Sequence, residues 1–168
     1  HIIKQSGFDV VIGNPPYIQK NAFKNFEKRI ILQQYPQNIS NMNIAAVFIS
    51  QIDKLNKQQG FQGVIVPKSL TFSKFWLGDR NQLLMRILKI MDVSKAFKEV
   101  LLEQVVYIAR RFDTGSKYKI VDYNGGTIES EIILDKKYCI ESEILFSNIH
   151  KRELDIFLDI IHNSTTIG

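Results

Sequence analysis

The stretch "FDVVIGNPPYIQ", residues 8–19, decides how the chain is interpreted. It begins with the apolar, β-branched run Val10–Ile12, which predicts a buried strand over residues 8–12. The run stops at Gly13, and two prolines follow Asn14 directly. A proline holds the residue before it in extended conformations and has no N–H, so this loop is nearly fixed and poor in donors. We therefore expect a buried strand that ends in a rigid loop of hydrogen-bond acceptors.

The residue types in Asn14-Pro15-Pro16-Tyr17 favour a flat ligand that carries an amine. Ligands of open α/β sheets bind beyond the carboxyl ends of the strands, where this loop lies. Two acceptors would localise the lone pair of an amine such as that of adenine, and would stabilise the charge that develops as it attacks a methyl group. A base in a duplex reaches such a pocket only by leaving the stack. The competing interpretation is an ordinary strand-to-loop turn.

The composition is that of a globular chain with a positive net charge. Of the 168 residues, 45% are hydrophobic and 23% are charged, and the net charge is +5. A positive charge fits a polyanionic partner, and no apolar run is long enough to span a membrane. Cys139 is the one cysteine, so an internal disulfide is excluded and a reducing cytoplasm is expected. His150 and His162 have no cluster of cysteines or carboxylates beside them, so no metal site is predicted.

The periodicity of the chain predicts an α/β fold. Residues 44–58 predict an amphipathic helix, and Asp79 opens a second one whose apolar face includes Ile87 and Leu88. Further strands are predicted at residues 63–67, 91–93 and 104–112. The order β-α-β-α-β-β predicts a mostly parallel sheet. The last strand is expected to be antiparallel, because no helix fits between the last two.

The character of the chain changes after Asp113. Alternating segments flank Asn124-Gly125-Gly126, which predicts a β-hairpin, and the stretch "NIHKRELDIFLDIIHNS" predicts a further helix. We expect two units. Residues 1–113 form the sheet with its helices, and residues 114–168 form a small appendage or linker of a β-hairpin and a helix.

These features resemble the amino-methyltransferases that use S-adenosylmethionine, whose motif is Asn/Asp-Pro-Pro-Tyr/Phe. Two branches share "FDVVxxNPPYI": the gamma-type N6-adenine DNA methyltransferases of restriction–modification systems, and the glutamine methyltransferases that modify release factors. The stretches "NIAAVFISQIDKLNKQQGFQGVIVPKSL" and "DVSKAFKEVLLEQVVYIARR" resemble the DNA branch. The resemblance covers residues 8–112, and residues 113–168 more loosely, where the chain would lead into a target-recognition domain. It implies part of a Rossmann-like methyltransferase sheet from a bacterial or archaeal type II or IIG-like enzyme.

The resemblance also implies roles for individual residues. Asn14, through its side chain, and Pro15, through its carbonyl, would accept the two N–H groups of a flipped adenine. Tyr17 and Phe97 would stack on that base, and Asn14 and Pro16 would lie beside the methyl donor. For Phe97 the alternative is a core position in a hairpin.

Four polar residues are candidate DNA contacts. Lys68 and Ser69 follow the strand at residues 63–67 and are expected to face the cleft. Arg110 and Arg111 belong to a basic cluster that could meet phosphates. A solvated surface is the alternative for each of them.

One family feature is missing from the sequence. The Gly-rich cofactor loop and the acidic residue after it should precede the Asn-Pro-Pro-Tyr motif, and nothing before Phe8 resembles them. We therefore expect the C-terminal half of a catalytic domain, inactive alone, with duplex DNA and the other half of the polypeptide as partners. An exposed sheet edge would favour self-association. The alternatives are a protein-glutamine or RNA methyltransferase, and a non-catalytic DNA-binding remnant; whether a nuclease is attached stays open.

Overall fold

The computed structural model describes residues 7–18, 22–35, 43–94, 102–112, 114–124 and 126–164. The strands are β1 (Phe8–Gly13), β2 (Asn56–Pro67), β3 (Ile87–Ser94), β4 (Gln104–Arg110), β5 (Lys117–Asn124) and β6 (Thr127–Asp135). The α-helices are α1 (Asn25–Gln34), α2 (Ile44–Leu55), α3 (Leu77–Arg86), α4 (Lys136–Ser142) and α5 (Lys151–Ser164). Two short 3₁₀ helices, Lys68–Thr71 and Lys74–Trp76, follow β2. The predicted α/β class is confirmed.

The six strands form one mixed sheet in the order β1-β2-β4-β3-β5-β6. β1 pairs parallel with β2, and β3 pairs parallel with β5. β4 runs antiparallel to both β2 and β3, as the sequence predicts for that strand. As a result β1, β2, β3 and β5 all end on one side of the sheet, which we call the carboxyl end.

One face of the sheet carries the hydrophobic core. α2 packs against β1 and β2, α3 packs against β4, and α4 packs against β6 and α3. The sheet residues beneath these helices are almost fully buried; they include Val64, Val66, Ile90, Val105, Tyr107, Tyr118, Ile120 and Leu134. Within the described ranges, no helix combines the length and the apolar character that a membrane span requires.

The second predicted helix is shorter than the sequence indicates. The spacing of Ile87 and Leu88 predicts a longer helix, but α3 ends at Arg86 and both residues belong to β3. A register shift between Ile87 and Lys89 leaves Ile87 and Ile90 both buried, although strict alternation would separate them. A β-bulge therefore imitates the three-residue spacing of a helix.

The hairpin that follows residue 113 is continuous with the sheet. β5 pairs with β3, and β6 pairs antiparallel with β5. Tyr118 on β5 and Leu134 on β6 lie in the same core as the residues of β2 and β4. The division of the chain into residues 1–113 and 114–168 is not tested by this pairing and stays a prediction.

β1 forms where the sequence predicts it, but the prediction that this strand is buried is wrong. Val10 and Ile12 are 57% and 81% exposed, whereas Val11 between them packs against the core. An apolar run on both faces is typical of a strand that is covered on both sides. The described residues cover only one side of this edge strand, so the periodicity indicates more burial than the strand has.

The exposed side of β1 lies on the face of the sheet opposite the core, where other strands also expose apolar side chains. We call this surface the open face; it is formed by Val10, Ile12, Ile108, Ile128 and Ile133, all at least 40% exposed. Lys89 and Glu131 lie beside Ile108 and Ile128 on this face, so the apolar side chains surround an ion pair. Apolar side chains exposed on one face of a sheet are candidates for an interaction site.

The backbones of β1 and β2 approach closely at Gly60. A Cβ atom on Gly60 would lie 2.8 Å from the carbonyl oxygen of Phe8. At Gly63 it would lie 3.1 Å from Cγ2 of Ile12. β2 begins at Asn56, before the strand predicted at residues 63–67, so both glycines lie inside the paired segment. Glycine is needed at position 60 because the neighbour is backbone and cannot rotate away.

Gly60→Ala is expected to lower the free energy of unfolding by about 1–3 kcal/mol, the usual cost of extra volume at a packed site. Urea unfolding of the purified chain measures this change. Gly78→Ala is the matched control, since a Cβ atom at Gly78 meets nothing within 4 Å. Equal stability of the two variants would contradict the close approach of β1 and β2.

A second constraint on the sheet is electrostatic. Glu131 on β6 accepts hydrogen bonds from the ammonium groups of Lys119 on β5 and Lys89 on β3, each at 2.6 Å. These two cations, Lys119 first and Lys89 second, lower the pKa of Glu131 to about 2. The carboxylate thus links three neighbouring strands.

The stabilisation by Glu131 should disappear in acid. Its folded pKa is below the ordinary value of 4.5, so the contribution is complete above about pH 4.5 and is lost as the pH falls towards about 2. We expect the thermal midpoint of the wild type to fall more steeply across this window than that of Glu131→Gln. Glu141→Gln, on the exposed side of α4, should retain the wild-type slope. Parallel pH profiles for the wild type and Glu131→Gln would rule out this role.

Candidate active site at the carboxyl end of the sheet

The loop Asn14–Tyr17 leaves the sheet at the carboxyl end of β1. Asn14 and Pro16 are exposed, Pro15 is buried, and Tyr17 is half-buried. Directly after the loop, the carbonyl of Ile18 accepts a hydrogen bond of 3.0 Å from the N–H of Ile44, the first residue of α2. The loop is therefore fixed at one end by β1 and at the other by α2.

The start of α2 is itself stabilised by a side-chain cap. The N–H of Ala45 donates to Oδ1 of Asn43 at 3.0 Å, as the sequence predicts from an asparagine at this position. The cap holds the helix end that binds Ile18, and so it positions the loop indirectly.

Tyr17 and Asn14 contact each other across the loop. The Tyr17 hydroxyl donates to Oδ1 of Asn14 at 3.4 Å, and the Tyr17 ring packs against the core. Burial raises the pKa of Tyr17 to about 12, so the phenol stays neutral and remains a donor at physiological pH. A hydrogen bond of this length is weak, so the Asn14 oxygen can exchange it for a better donor.

Lys68 begins the neighbouring segment, which leaves β2 at the same end of the sheet. Its ammonium group lies 2.8 Å from Asp92 and 3.0 Å from Glu103. The hydrogen bond to Asp92, with a smaller contribution from Glu103, raises the pKa of Lys68. This lysine therefore holds the ends of β2 and β3 against the start of β4, and its charge is compensated by two carboxylates.

Asp92 also shapes the exit from β3. Its Oδ1 accepts from the N–H of Ser94 at 2.8 Å and from the Ser94 hydroxyl at 3.2 Å. Ser94 adopts a φ of 45°, a left-handed conformation that is uncommon for a residue other than glycine. Sequence reasoning missed Asp92 and Glu103; the available signal was the carboxylate of Asp92 between apolar residues of the strand predicted at residues 91–93.

The structure separates the four predicted DNA contacts into two groups. Lys68 and Ser69 lie at the carboxyl end with Asn14. Arg110 and Arg111 come at the end of the antiparallel strand β4, and so lie at the opposite end of the sheet. Their contact with DNA stays a prediction, but it is not a contact within this site.

Both arginines have partners at that opposite end. The Arg110 guanidinium stacks over the ring of Phe61 at 4.4 Å, and Nη1 of Arg111 donates to the carbonyl of Asn56 at 2.9 Å. These contacts give the two arginines structural roles in fixing the start of β2.

Two further sequence predictions concern this site. Phe97 lies outside the described residues, so its stacking role stays a prediction. Among the residues that are described, no three His, Cys, Asp or Glu side chains lie close enough together to bind a metal ion.

The sequence pattern of a known family matches the segment that carries the site. The family described as Eco57I restriction-modification methylase matches residues 1–97. A type II restriction enzyme and methyltransferase of Methanocaldococcus jannaschii is 41% identical over 68 residues. That alignment covers 40% of this chain and 5% of the relative, so the chain spans a small part of the length of that protein.

Solved structures share the fold. The type IIG restriction endonuclease BpuSI matches with a TM-score of 0.60 and 16% identity, over 79% of this chain and 20% of that chain. A class I S-adenosylmethionine-dependent methyltransferase from Listeria monocytogenes matches with a TM-score of 0.51 and 16% identity, over 67% of this chain and 34% of that chain. At these identities the likeness establishes the fold alone, and it confirms a methyltransferase-type sheet.

The family match includes the segment in which a donor-poor loop follows the first strand. The matched family is one of the type IIG-like restriction–modification enzymes that the sequence resembles. The matched residues include β1, the loop Asn14–Tyr17, β2 and β3. Since the match extends over 97 of the 168 residues, more than half, the chain belongs to the Eco57I restriction-modification methylase family.

Proposed function

We propose that the chain is the C-terminal half of the catalytic domain of a site-specific DNA methyltransferase that modifies the N6 amine of a flipped adenine. The observation that carries the proposal is the loop Asn14–Tyr17, which is fixed at both ends and exposes Asn14 and Pro16 at the carboxyl end of the sheet. Membership of a family of restriction–modification methylases supports it.

Asn14 and Pro15 provide the acceptors for the reacting amine. Oδ1 of Asn14 and the carbonyl oxygen of Pro15 each take one N–H of the adenine amine. The lone pair is then withdrawn from the ring and directed at the methyl group. Positive charge develops on the nitrogen during the transfer, and two fixed dipoles stabilise it more in the transition state than in the ground state.

Tyr17 provides the surface on which the base rests. Its ring is anchored in the core, and its phenol stays neutral because burial raises its pKa to about 12. Stacking on an aromatic side chain offsets part of the cost of removing a base from the duplex. The hydroxyl keeps Oδ1 of Asn14 oriented until the adenine amine replaces it. Phe97 would cover the other side of the base.

S-adenosylmethionine supplies the methyl group when it is bound. The described residues fit one side of its site, since Asn14 and Pro16 of the loop are exposed. Among the described residues where β3 ends and β4 begins, the carboxylates Asp92 and Glu103 both engage Lys68. We therefore propose that this chain contacts the methyl-bearing end and that another segment of the polypeptide holds the rest.

The open face and the edge of β1 are the proposed contact surface for that segment. Ile12 is 81% exposed although its neighbour Val11 packs on the core. Strands that are apolar on both faces are normally covered on both sides. In isolation these 168 residues are proposed to be inactive and to self-associate through this surface.

The test is methyl transfer by the intact polypeptide, the longer protein that carries these residues. Labelled S-adenosylmethionine is offered with duplex DNA, a release factor and RNA. We expect label only in DNA, as N6-methyladenine. Label in the release factor or in RNA would select those substrates instead, and DNA binding without any transfer would identify a non-catalytic remnant.

Asn14→Ala in the intact polypeptide should reduce the single-turnover rate constant of methyl transfer by about 10²–10³-fold, the usual effect of removing one preorganised partner of the transition state. Single-turnover methylation of adenine in duplex DNA measures it. Binding of DNA and of S-adenosylmethionine should change little, because the effect lies in the chemical step.

Two controls accompany this variant. Asn14→Asp keeps an acceptor and should retain more activity than Asn14→Ala. Tyr17→Phe removes the hydroxyl bond to Asn14 but keeps the ring, so its loss should be smaller still. Unchanged single-turnover rates in Asn14→Ala would remove Asn14 from the mechanism.

A further inference from the structure

The turn that follows β2 exposes two phenylalanines beside the candidate site. Phe72 is 58% exposed and Phe75 is 72% exposed. They lie in the segment Lys68–Trp76, which leaves the sheet at the same carboxyl end as the loop Asn14–Tyr17, because β1 and β2 are parallel neighbours. We call Phe72 and Phe75 the aromatic pair.

The turn beneath the aromatic pair is held firmly. Nη1 of the buried Arg80 donates to the carbonyl of Leu70 at 3.0 Å and to the carbonyl of Ser73 at 2.9 Å. The N–H of Leu145 donates to the carbonyl of Thr71 at 2.8 Å. Three backbone carbonyls of this segment are hydrogen-bonded to the rest of the fold. The exposure of its two phenylalanines is therefore not explained by a mobile backbone.

Burial within the turn is selective. Leu70, Thr71 and Trp76 are at most 3% exposed, while the two phenylalanines between them face outward. The core therefore accommodates an aromatic ring at position 76 but not at positions 72 or 75. Two exposed aromatic side chains three residues apart on a firmly held backbone indicate a binding partner.

An exposed cation within the turn favours nucleic acid as that partner, although the carboxylate of Glu143 lies near Arg80 beneath the turn. Lys74 lies between the two phenylalanines and is exposed. The carboxylates Asp92 and Glu103 are both paired with Lys68. An exposed lysine between two exposed phenylalanines in the sequence matches a duplex, which offers a phosphate beside each base step.

We propose that the aromatic pair enters the duplex next to the target and stacks on the bases that a flipped adenine leaves uncovered. The inference rests on the proposed function. Extruding one base exposes the apolar faces of its neighbours, and a wedge of apolar side chains restores part of the lost stacking. Asn14 and Tyr17 hold the extruded adenine, while Phe72 and Phe75 occupy the position that it left.

The test uses the intact polypeptide and the sequence that the wild type methylates. The duplex carries 2-aminopurine in place of the target adenine, because the fluorescence of 2-aminopurine increases when it leaves the stack. The variant is the double substitution Phe72→Ala and Phe75→Ala. The matched control is Phe112→Ala, which removes an exposed phenylalanine at the opposite end of the sheet, after β4.

The double variant should bind this duplex at least about tenfold more weakly, the order that loss of base stacking produces, and should lose most of the fluorescence increase. Phe112→Ala should behave as the wild type. The thermal midpoint without DNA should not change, because both rings are exposed. Phe75→Trp, which keeps a flat ring, should retain the fluorescence increase.

A second duplex, in which the target base is already weakly held, distinguishes insertion of the aromatic pair between bases from a general contact with DNA. With an abasic site opposite the target, part of the unstacking cost is already met, so the double variant should recover most of its affinity. An equal loss on both duplexes would overturn the proposal, and so would wild-type binding and flipping by the double variant. A lower thermal midpoint with unchanged DNA binding would mean that the pair packs against another part of the polypeptide, which also overturns it.

Failure of the underlying function gives a different result. If the wild type itself transfers no methyl group to DNA, the proposed function fails and this inference fails with it. If the wild type and the double variant both methylate DNA and flip the base equally, only the role of the aromatic pair is rejected.

Discussion

The parallel pairing of β1 with β2 is the constraint on which the rest of the site depends. It is possible because Gly60 and Gly63 let the two strands approach, with 2.8 Å between a Cβ at position 60 and the Phe8 carbonyl. Because the strands are parallel, the segments that follow them leave the sheet at the same end. The loop Asn14–Tyr17, here called the acceptor loop, and the aromatic pair therefore lie at the same end of the sheet because of the backbone topology alone.

Rigidity at the carboxyl end comes from different kinds of contact in the two segments. The acceptor loop is restricted by its prolines and by the hydrogen bond between Ile18 and Ile44. The turn after β2 is held by Arg80 and by the ion pairs of Lys68. Groups that are carried on a fixed backbone lose less entropy on binding, so each segment can stabilise a reacting or displaced base effectively.

The sequence was most informative where the cause of structure is local. The ends of β1 and of the acceptor loop follow from Gly13 and two prolines, and the start of α2 follows from the Asn43 cap. The bulge after Ile87 was misleading because it produces helical spacing in a strand. The pairing of Lys68 with Asp92 and Glu103 could not be predicted, since it depends on which strands become neighbours. The separation of Arg110 from Asn14, by contrast, already follows from the predicted antiparallel direction of β4.

The most direct test is a crystal structure of the intact polypeptide with duplex DNA and a non-reactive analogue of S-adenosylmethionine. The account predicts an adenine outside the helix whose N6 lies about 3 Å from both Oδ1 of Asn14 and the carbonyl oxygen of Pro15. Its ring should lie on the face of Tyr17. An adenine that stays stacked in the duplex, or whose amine is turned away from Asn14, would contradict the central claim.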